Sequence, residues 1–230
     1  MTEREQLQEY HEWRNNCLKR GYFFETERTD VINYLIEQNN FVNYLEIGVC
    51  DGDNIKRIKA KHIDGVDPGI EGQVAAETNY QITSDAFFDL IKGHDIKYDV
   101  VFVDGLHHCE QVYKDIINSL NHTVENGYIV CHDMNPRWEL STRRKPSGTC
   151  WNGDTWKAWA KLKSERADLK MEVVDTDHGV GIISRGSQQT IDLPDEAFNL
   201  QYSFLEDNRN ELLELITVGA FYEKYSNVLH

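Results

Sequence analysis

Apolar residues in this chain fall in short unbroken runs that stop at glycine or at a charged residue, and stretches with helical spacing separate the runs. The clearest run is Val100–Val103, which is followed at once by DGLHH. A run without alternation fits a strand covered on both faces. YLEIGVCDGDN (Tyr44–Asn54) reads as a strand entering a tight turn and a helix. IDGVDP (Ile63–Pro68) reads as a strand ending at Asp67 and stopped by Pro68, and YIVCHD (Tyr128–Asp133) as another strand. A short strand is expected near Ile82, with a helix opening after Ser84 or Asp85. Residues 3–20 are polar and helical in character, and Asp30 is expected to cap a helix through about Asn39. From Glu110, Val112, Ile116 and Leu120 recur at helical spacing, and Gly127 ends that stretch. KMEVVDTDHGVGIISR predicts two strands joined by a turn around Asp177–Gly179.

Strands that alternate with helices predict an α/β fold: a doubly wound, Rossmann-like, mostly parallel sheet with an antiparallel C-terminal hairpin. The expected divisions are an N-terminal helical segment over 1–40, the sheet domain over 41–186, and a C-terminal helical appendage over 187–230. Residues 134–153 form an insertion that carries Pro136, Pro146, Gly148 and Gly153 with Arg137, Arg143, Arg144 and Lys145. Loops of this length are more often functional than inert. As a lid, its basic residues would engage an anionic acceptor, with Trp138 and Trp151 stacking on a sugar or base.

Charge narrows the partners. The net charge of -15 gives no general attraction to phosphate backbones or anionic lipids, so neither nucleic acid nor membrane is expected. No run is long enough to span a bilayer, and MTEREQLQEYHEWR lacks an apolar signal core, so a cytoplasmic protein is expected. Five cysteines without a CxxC pair or zinc spacing read as free thiols. The oligomeric state is left open, a homo-oligomer included.

In parallel sheets, ligands bind beyond the carboxyl ends of the strands. Here each end carries chemistry: Glu46 and Gly48, Asp67, Ser84 and Asp85, Asp104, then His132 and Asp133. Glu46, inside an apolar strand, is the hardest to explain as packing. GVCDGD supplies Gly48 and Gly52 but lacks the second glycine of a nicotinamide fingerprint, so a ligand without pyrophosphate suits the loop. Asp67, roughly 20 residues on, is placed to accept from ribose hydroxyls.

YLEIGVCDGDN, GVDP, TSDAFF, DVVFVDGLHH and GYIVCHD, in that order, resemble the class I S-adenosylmethionine-dependent methyltransferases, over about residues 40–185. The nearest branch in pattern is the sugar and small-molecule O-methyltransferase-like group. The resemblance implies S-adenosylmethionine as cofactor, with the Gly48 and Gly52 loop and Glu46 at its methionine part. It places Asp67 on the ribose, Ser84 and Asp85 beside the adenine, and Asp85 on the exocyclic amine. YSFLEDNRNELLELI also resembles tails of bacterial surface-glycan proteins, which turns the expected substrate toward a sugar or nucleotide sugar.

A sugar hydroxyl is a poor nucleophile and needs a base, a metal, or both. Asp104, His132 and Asp133, on adjacent strand ends, make an incomplete shell for Mg²⁺ or Mn²⁺. His107 is then the expected base, with Asp104 beside it. The chain departs from the resembling branch at His132, which stands where a carboxylate is usual. Two other readings compete. One is a metal-dependent hydrolase built on Asp104, His107, His132 and Asp133. The other is a nucleoside-binding scaffold of a glycan-assembly system that performs no turnover.

Overall fold

The computed structural model describes residues 1–21, 23–69, 78–146 and 150–227; Gly148 and its two neighbours in the insertion lie outside the described residues. Among these residues eight strands form one sheet in the order β3-β2-β1-β4-β5-β7-β6-β8. They are β1 (Asn43–Ile47), β2 (His62–Val66), β3 (Thr78–Tyr80), β4 (Tyr98–Val103), β5 (Thr123–Cys131), β6 (Leu169–Val174), β7 (Val180–Arg185) and β8 (Leu215–Ile216). β1 to β5 pair in parallel, and β7 runs antiparallel between β5 and β6, as the hairpin reading required. The order reverses at β1, which is flanked by β2 and β4, so the switch-point crevice opens at the end of β1.

Among the described residues seven helices accompany the sheet: α1 (Glu3–Arg20), α2 (Arg28–Asn39), α3 (Ser84–Ile91), α4 (Cys109–His122), α5 (Trp156–Glu165), α6 (Tyr202–Leu213) and α7 (Val218–Lys224). The central strands are buried on both faces. Leu45, Ile47, Val101 and Val103 pack with Ile116 of α4 and Trp159 of α5. Tyr44, Val100 and Phe102 pack with Val31, Ile32 and Leu35 of α2 and with Phe221 of α7. Each such side chain contributes about 1.5–3 kcal/mol by leaving water. That double burial explains why Val100–Val103 shows no alternation. Among the described residues no helix is long and apolar enough to cross a membrane.

The structure corrects several boundaries. The third strand lies at Thr78–Tyr80, before Ile82, and Thr83 caps α3 by accepting from the Ala86 N–H at 3.2 Å. Asp30 is the third residue of α2, not its cap; its carboxylate accepts from the Glu27 N–H at 2.9 Å in a reciprocal capping box. β5 starts at Thr123 and runs through Gly127. The C-terminal appendage is not wholly helical. Its β8 pairs in parallel with β6, Val173 opposite Leu215, and extends the sheet by a strand too short to leave a periodic trace.

α1 packs on the insertion. The Leu140 N–H donates to Gln6 Oε1 at 2.9 Å, Arg143 pairs with Glu3 at 2.9 Å, and Tyr10 and Trp13 each meet Trp138 at 5.5 Å.

Candidate active site

β1 and β4 end side by side, and one glycine lets them do so. Gly48 has φ +95°, and a Cβ there would stand 2.1 Å from the Asp104 carbonyl oxygen. The loop then turns through Cys50, whose N–H donates to Asp67 Oδ2 at 2.9 Å, while the Gly69 N–H donates to Asp67 Oδ1 at 2.7 Å. Gly52 closes this turn from behind, bonding the Val49 carbonyl at 2.8 Å, and borders neither cleft described below.

A cleft of about 550 Å³ lies over these strand ends, lined by Gly48, Asp67, Ser84, Asp85, Asp104 and His107 among others. At one end Gln111 of α4 reaches Ser84 Oγ at 3.2 Å and the carboxylates of Asp85 and Asp115 at 3.0 Å each. Burial pushes the Asp115 carboxyl up to about 6, against the hydrogen bonds from Ser84 and Gln111. Lys114 holds Asp85 at 2.7 Å, and its hydrogen bond, with that of Gln111, keeps the Asp85 carboxyl below its ordinary range.

A second cleft, of about 330 Å³, shares Gly48, Cys50, Asp104, His107 and Trp151 with the first. His107 stands at the junction. Its Nε2 lies 3.4 Å from Asp104 Oδ1, and its Nδ1 lies 3.2 Å from Asp133 Oδ2 and 3.1 Å from the Trp151 carbonyl oxygen. Its ring stacks on Trp151 with centroids 4.8 Å apart. Burial opposes charge on His107, but the Asp104 hydrogen bond and the charges of Asp133 and Asp104 outweigh it and hold the imidazole above its ordinary range.

His132 lies behind this group. Its Nδ1 is 3.3 Å from Asp104 and 3.5 Å from Asp133, and its Nε2 is 3.5 Å from Asp177. Burial again opposes charge, and Asp133, Asp104 and Asp177 reverse that effect, so the His132 imidazole is held well above its ordinary range. For Asp104 and Asp133, burial alone would favour the neutral acid; the two histidines instead keep both ionised. Arg28, the first residue of α2, joins from the side, 3.0 Å from Asp177 and 3.8 Å from Asp104. Asp133 adopts φ 65°, and Asn152 and Thr155 hold it in that strained conformation through its side chain and carbonyl.

Glu46 borders the second cleft and is only 1% exposed. It accepts from the Tyr44 hydroxyl at 2.6 Å and from Asn54 at 2.7 Å, yet burial still pushes its carboxyl up to about 7. Its buried position is therefore hydrogen-bonded, which answers the cost that singled it out in the sequence.

The strand-end residues thus converge: Asp67, Ser84 and Asp85 on the first cleft, Glu46, His132 and Asp133 on the second, and Gly48, Asp104 and His107 on both. The ligand atoms that come within 4.8 Å of one another belong to Asp104, His107 and Asp133. His178 lines the second cleft from the hairpin turn; burial and the nearby charge of His132 hold its imidazole below its ordinary range. Of the insertion's basic residues, Arg143 is engaged by Glu3, and Arg144 by Glu110 and Asp154. Sequence reasoning missed Arg28, Gln111, Asp115, Asn152 and Asp177. Only Asp115 left a signal, as a carboxylate on the apolar stripe of α4 three residues after Val112.

A family model described as a methyltransferase domain matches residues 14–134. No curated protein matches the sequence. Among solved structures, a candidate caffeoyl-CoA O-methyltransferase from Staphylococcus aureus superposes with a TM-score of 0.53 at 17% identity, covering 69% of this chain and 82% of that one. The O-methyltransferase TomG from Streptomyces achromogenes, involved in tomaymycin synthesis and solved with SAM, gives 0.52 at 12% identity, covering 81% and 92%. An O-methyltransferase from Bacillus cereus in complex with SAH gives 0.51 at 11% identity, covering 79% and 91%. At these identities the likeness is one of fold.

Proposed function

Because the chain belongs to the class I S-adenosylmethionine-dependent methyltransferases, through the methyltransferase-domain family that matches residues 14–134, we propose that it methylates a hydroxyl of a sugar, nucleotide sugar or related small metabolite. The observation that carries this reading is the position of His107, which borders both clefts and lies between the carboxylates of Asp104 and Asp133.

In this reading the first cleft takes the cofactor. Asp67 accepts from the ribose hydroxyls, and Ser84 and Asp85, steadied by Gln111, border the adenine. The Gly48 loop, which borders both clefts, takes the methionine end, and Glu46 borders that end from the second cleft, where a carboxylate suits the cationic groups. The acceptor enters the second cleft. Its oxygen forms the new C–O bond as the methyl–sulfur bond breaks, and the sulfur leaves with that electron pair. The hydroxyl proton passes to His107, which acts as general base. Asp104 and Asp133 orient the ring and stabilise the imidazolium that results, the role a carboxylate plays beside any catalytic histidine.

The donor set also fits a divalent metal. Two carboxylates and an imidazole converge within 4.8 Å, a hard-ligand group suited to Mg²⁺ or Mn²⁺. Asp104 and Asp133 would supply the oxygens, and His107 or the neighbouring His132 the nitrogen. Such an ion, when bound, would lower the pKa of the acceptor hydroxyl.

The test is calorimetry with S-adenosylhomocysteine followed by methyl uptake from S-adenosylmethionine across a panel of sugars and nucleotide sugars. Binding together with uptake that His107→Ala abolishes supports the proposal. Binding with no uptake on any hydroxylated acceptor leaves the scaffold reading. No binding at all, with hydrolytic activity that depends on added metal, favours the hydrolase.

A further inference from the structure

A third cavity, of about 420 Å³, lies beside the second cleft, within the ~300–1,000 Å³ range of small-molecule sites. Its walls are aromatic: Trp13 of α1 with Phe23 and Phe24, whose rings lie 5.7 and 5.9 Å from the indole. Phe23 lines the groove and is 40% exposed. Arg20, Glu25, Thr26, Arg137 and Thr176 give the polar part of the lining.

Two features connect this groove to the reaction centre. The His178 ring lines the second cleft and lies 5.2 Å from Phe24 and 5.9 Å from Trp13, so one imidazole separates the two spaces. Its Nδ1 is buried and lacks a hydrogen-bond partner among the described residues. Arg137 also lies close enough for its charge to act on His178.

Arg137 differs from its neighbours in the insertion. Arg143 and Arg144 are held by carboxylates, whereas among the described residues Arg137 is exposed and makes no ion pair or hydrogen bond. In a chain of net charge -15, carboxylate partners are plentiful, so an arginine left unpaired beside an aromatic groove is a local feature. A guanidinium is suited to phosphate, and exposed aromatic faces are suited to a planar base.

We propose that this groove binds the nucleoside diphosphate of a nucleotide-sugar acceptor, with the base on Phe23 and Trp13, the diphosphate on Arg137, and the sugar passing His178 toward His107. The assignment rests on the methyltransferase reading above and names its acceptor class. It also relocates anion recognition from the whole basic insertion to one residue of it.

The test is calorimetry of the full chain with UDP and GDP as probes, with uridine and inorganic pyrophosphate as separate arms and S-adenosylhomocysteine titrated in the same samples. At least one of the two nucleoside diphosphate probes, UDP or GDP, binds more tightly than uridine and more tightly than pyrophosphate. Arg137→Ala weakens that binding by about tenfold or more, the loss of a charge-assisted contact. Phe23→Ala, at a position 40% exposed, weakens it several-fold. If S-adenosylhomocysteine binds while neither UDP nor GDP does at millimolar concentration, the groove assignment is overturned and the methyltransferase reading stands. Pyrophosphate binding as tightly as UDP and GDP, or wild-type UDP and GDP affinity in Arg137→Ala, overturns it as well. Failure of S-adenosylhomocysteine itself to bind strikes the underlying reading instead.

Discussion

His107 presents Nδ1 to the Asp133 carboxylate at 3.2 Å, and the residue that presses on its backbone is Gly153, where a Cβ would stand 1.9 Å from the His107 carbonyl oxygen. The candidate base is thus fixed by β5's end and by the insertion together. His107→Ala should lower kcat by about 10²- to 10⁴-fold, the range for losing a general base. Asp133→Asn should lower kcat by about tenfold or more through misorientation of the ring. Its affinity for S-adenosylhomocysteine should stay near wild type, because Asp133 borders only the second cleft. Turnover and calorimetry on the same preparations check this. A wild-type kcat in His107→Ala would remove the residue from the chemistry.

Gly48→Ala tests the junction of the two strand ends. The new Cβ would meet the Asp104 carbonyl oxygen at 2.1 Å in a backbone with φ +95°. Strain and displacement together should cost more than about 2 kcal/mol. The expected result is a lower Tm and loss of S-adenosylhomocysteine binding. An alanine variant that binds the cofactor normally would show that β1 and β4 need not approach so closely.

The residues at the strand ends were more legible in the sequence than the rest of the second cleft, for a physical reason. In a parallel sheet each strand delivers its last residues to the same rim, so Glu46, Asp67, Asp104 and Asp133 could be read one strand at a time. The second cleft is assembled from side chains that no local pattern relates. Arg28 comes from the start of α2 and Asp177 from a hairpin turn 149 residues later, and they meet at 3.0 Å. Asn152 sits in an aperiodic insertion, where nothing marks it as a partner of Asp133. The β8 strand escaped for the same reason, since two residues carry no period. Glu46 was conspicuous because it interrupts an apolar strand, and its hydrogen bonds from Tyr44 and from Asn54, which Thr29 in turn holds, explain how the interruption is tolerated.

Glu46 predicts a pH dependence of stability. Its folded-state pKa of about 7 lies above the ordinary 4.5, and burial is the main cause. A raised pKa means that the folded state holds the proton more tightly. The contribution is therefore fully present below about 4.5 and is lost as pH rises toward 7. Above that, the buried charge costs about 3 kcal/mol, an order-of-magnitude figure from the size of the shift. Glu46→Gln should be more stable than wild type at pH 8 and close to it at pH 5, by denaturant unfolding of the ligand-free protein. Parallel stability curves for the two proteins across that range would contradict a raised pKa at this site.

Metal removal separates the two ways in which the hydroxyl can be activated. Asp104, His107 and Asp133 bring two hard oxygens and a nitrogen within 4.8 Å of one another, and the group borders the second cleft. Dialysis against EDTA should lower methyl transfer by about tenfold or more, and Mg²⁺ or Mn²⁺ should restore it, since lowering the hydroxyl pKa supplements the base. Asp104→Asn, which removes a charged oxygen donor from the set, should abolish that restoration. S-adenosylhomocysteine should still bind in EDTA, because Asp67, Ser84 and Asp85 line the other cleft. Full turnover in EDTA would instead leave His107 working between its two carboxylates alone, with His132 beside them at 3.3 and 3.5 Å. In that case Asp104→Asn should shift the acid limb of the kcat profile to lower pH, because the imidazole loses a neighbour that holds it above its ordinary range.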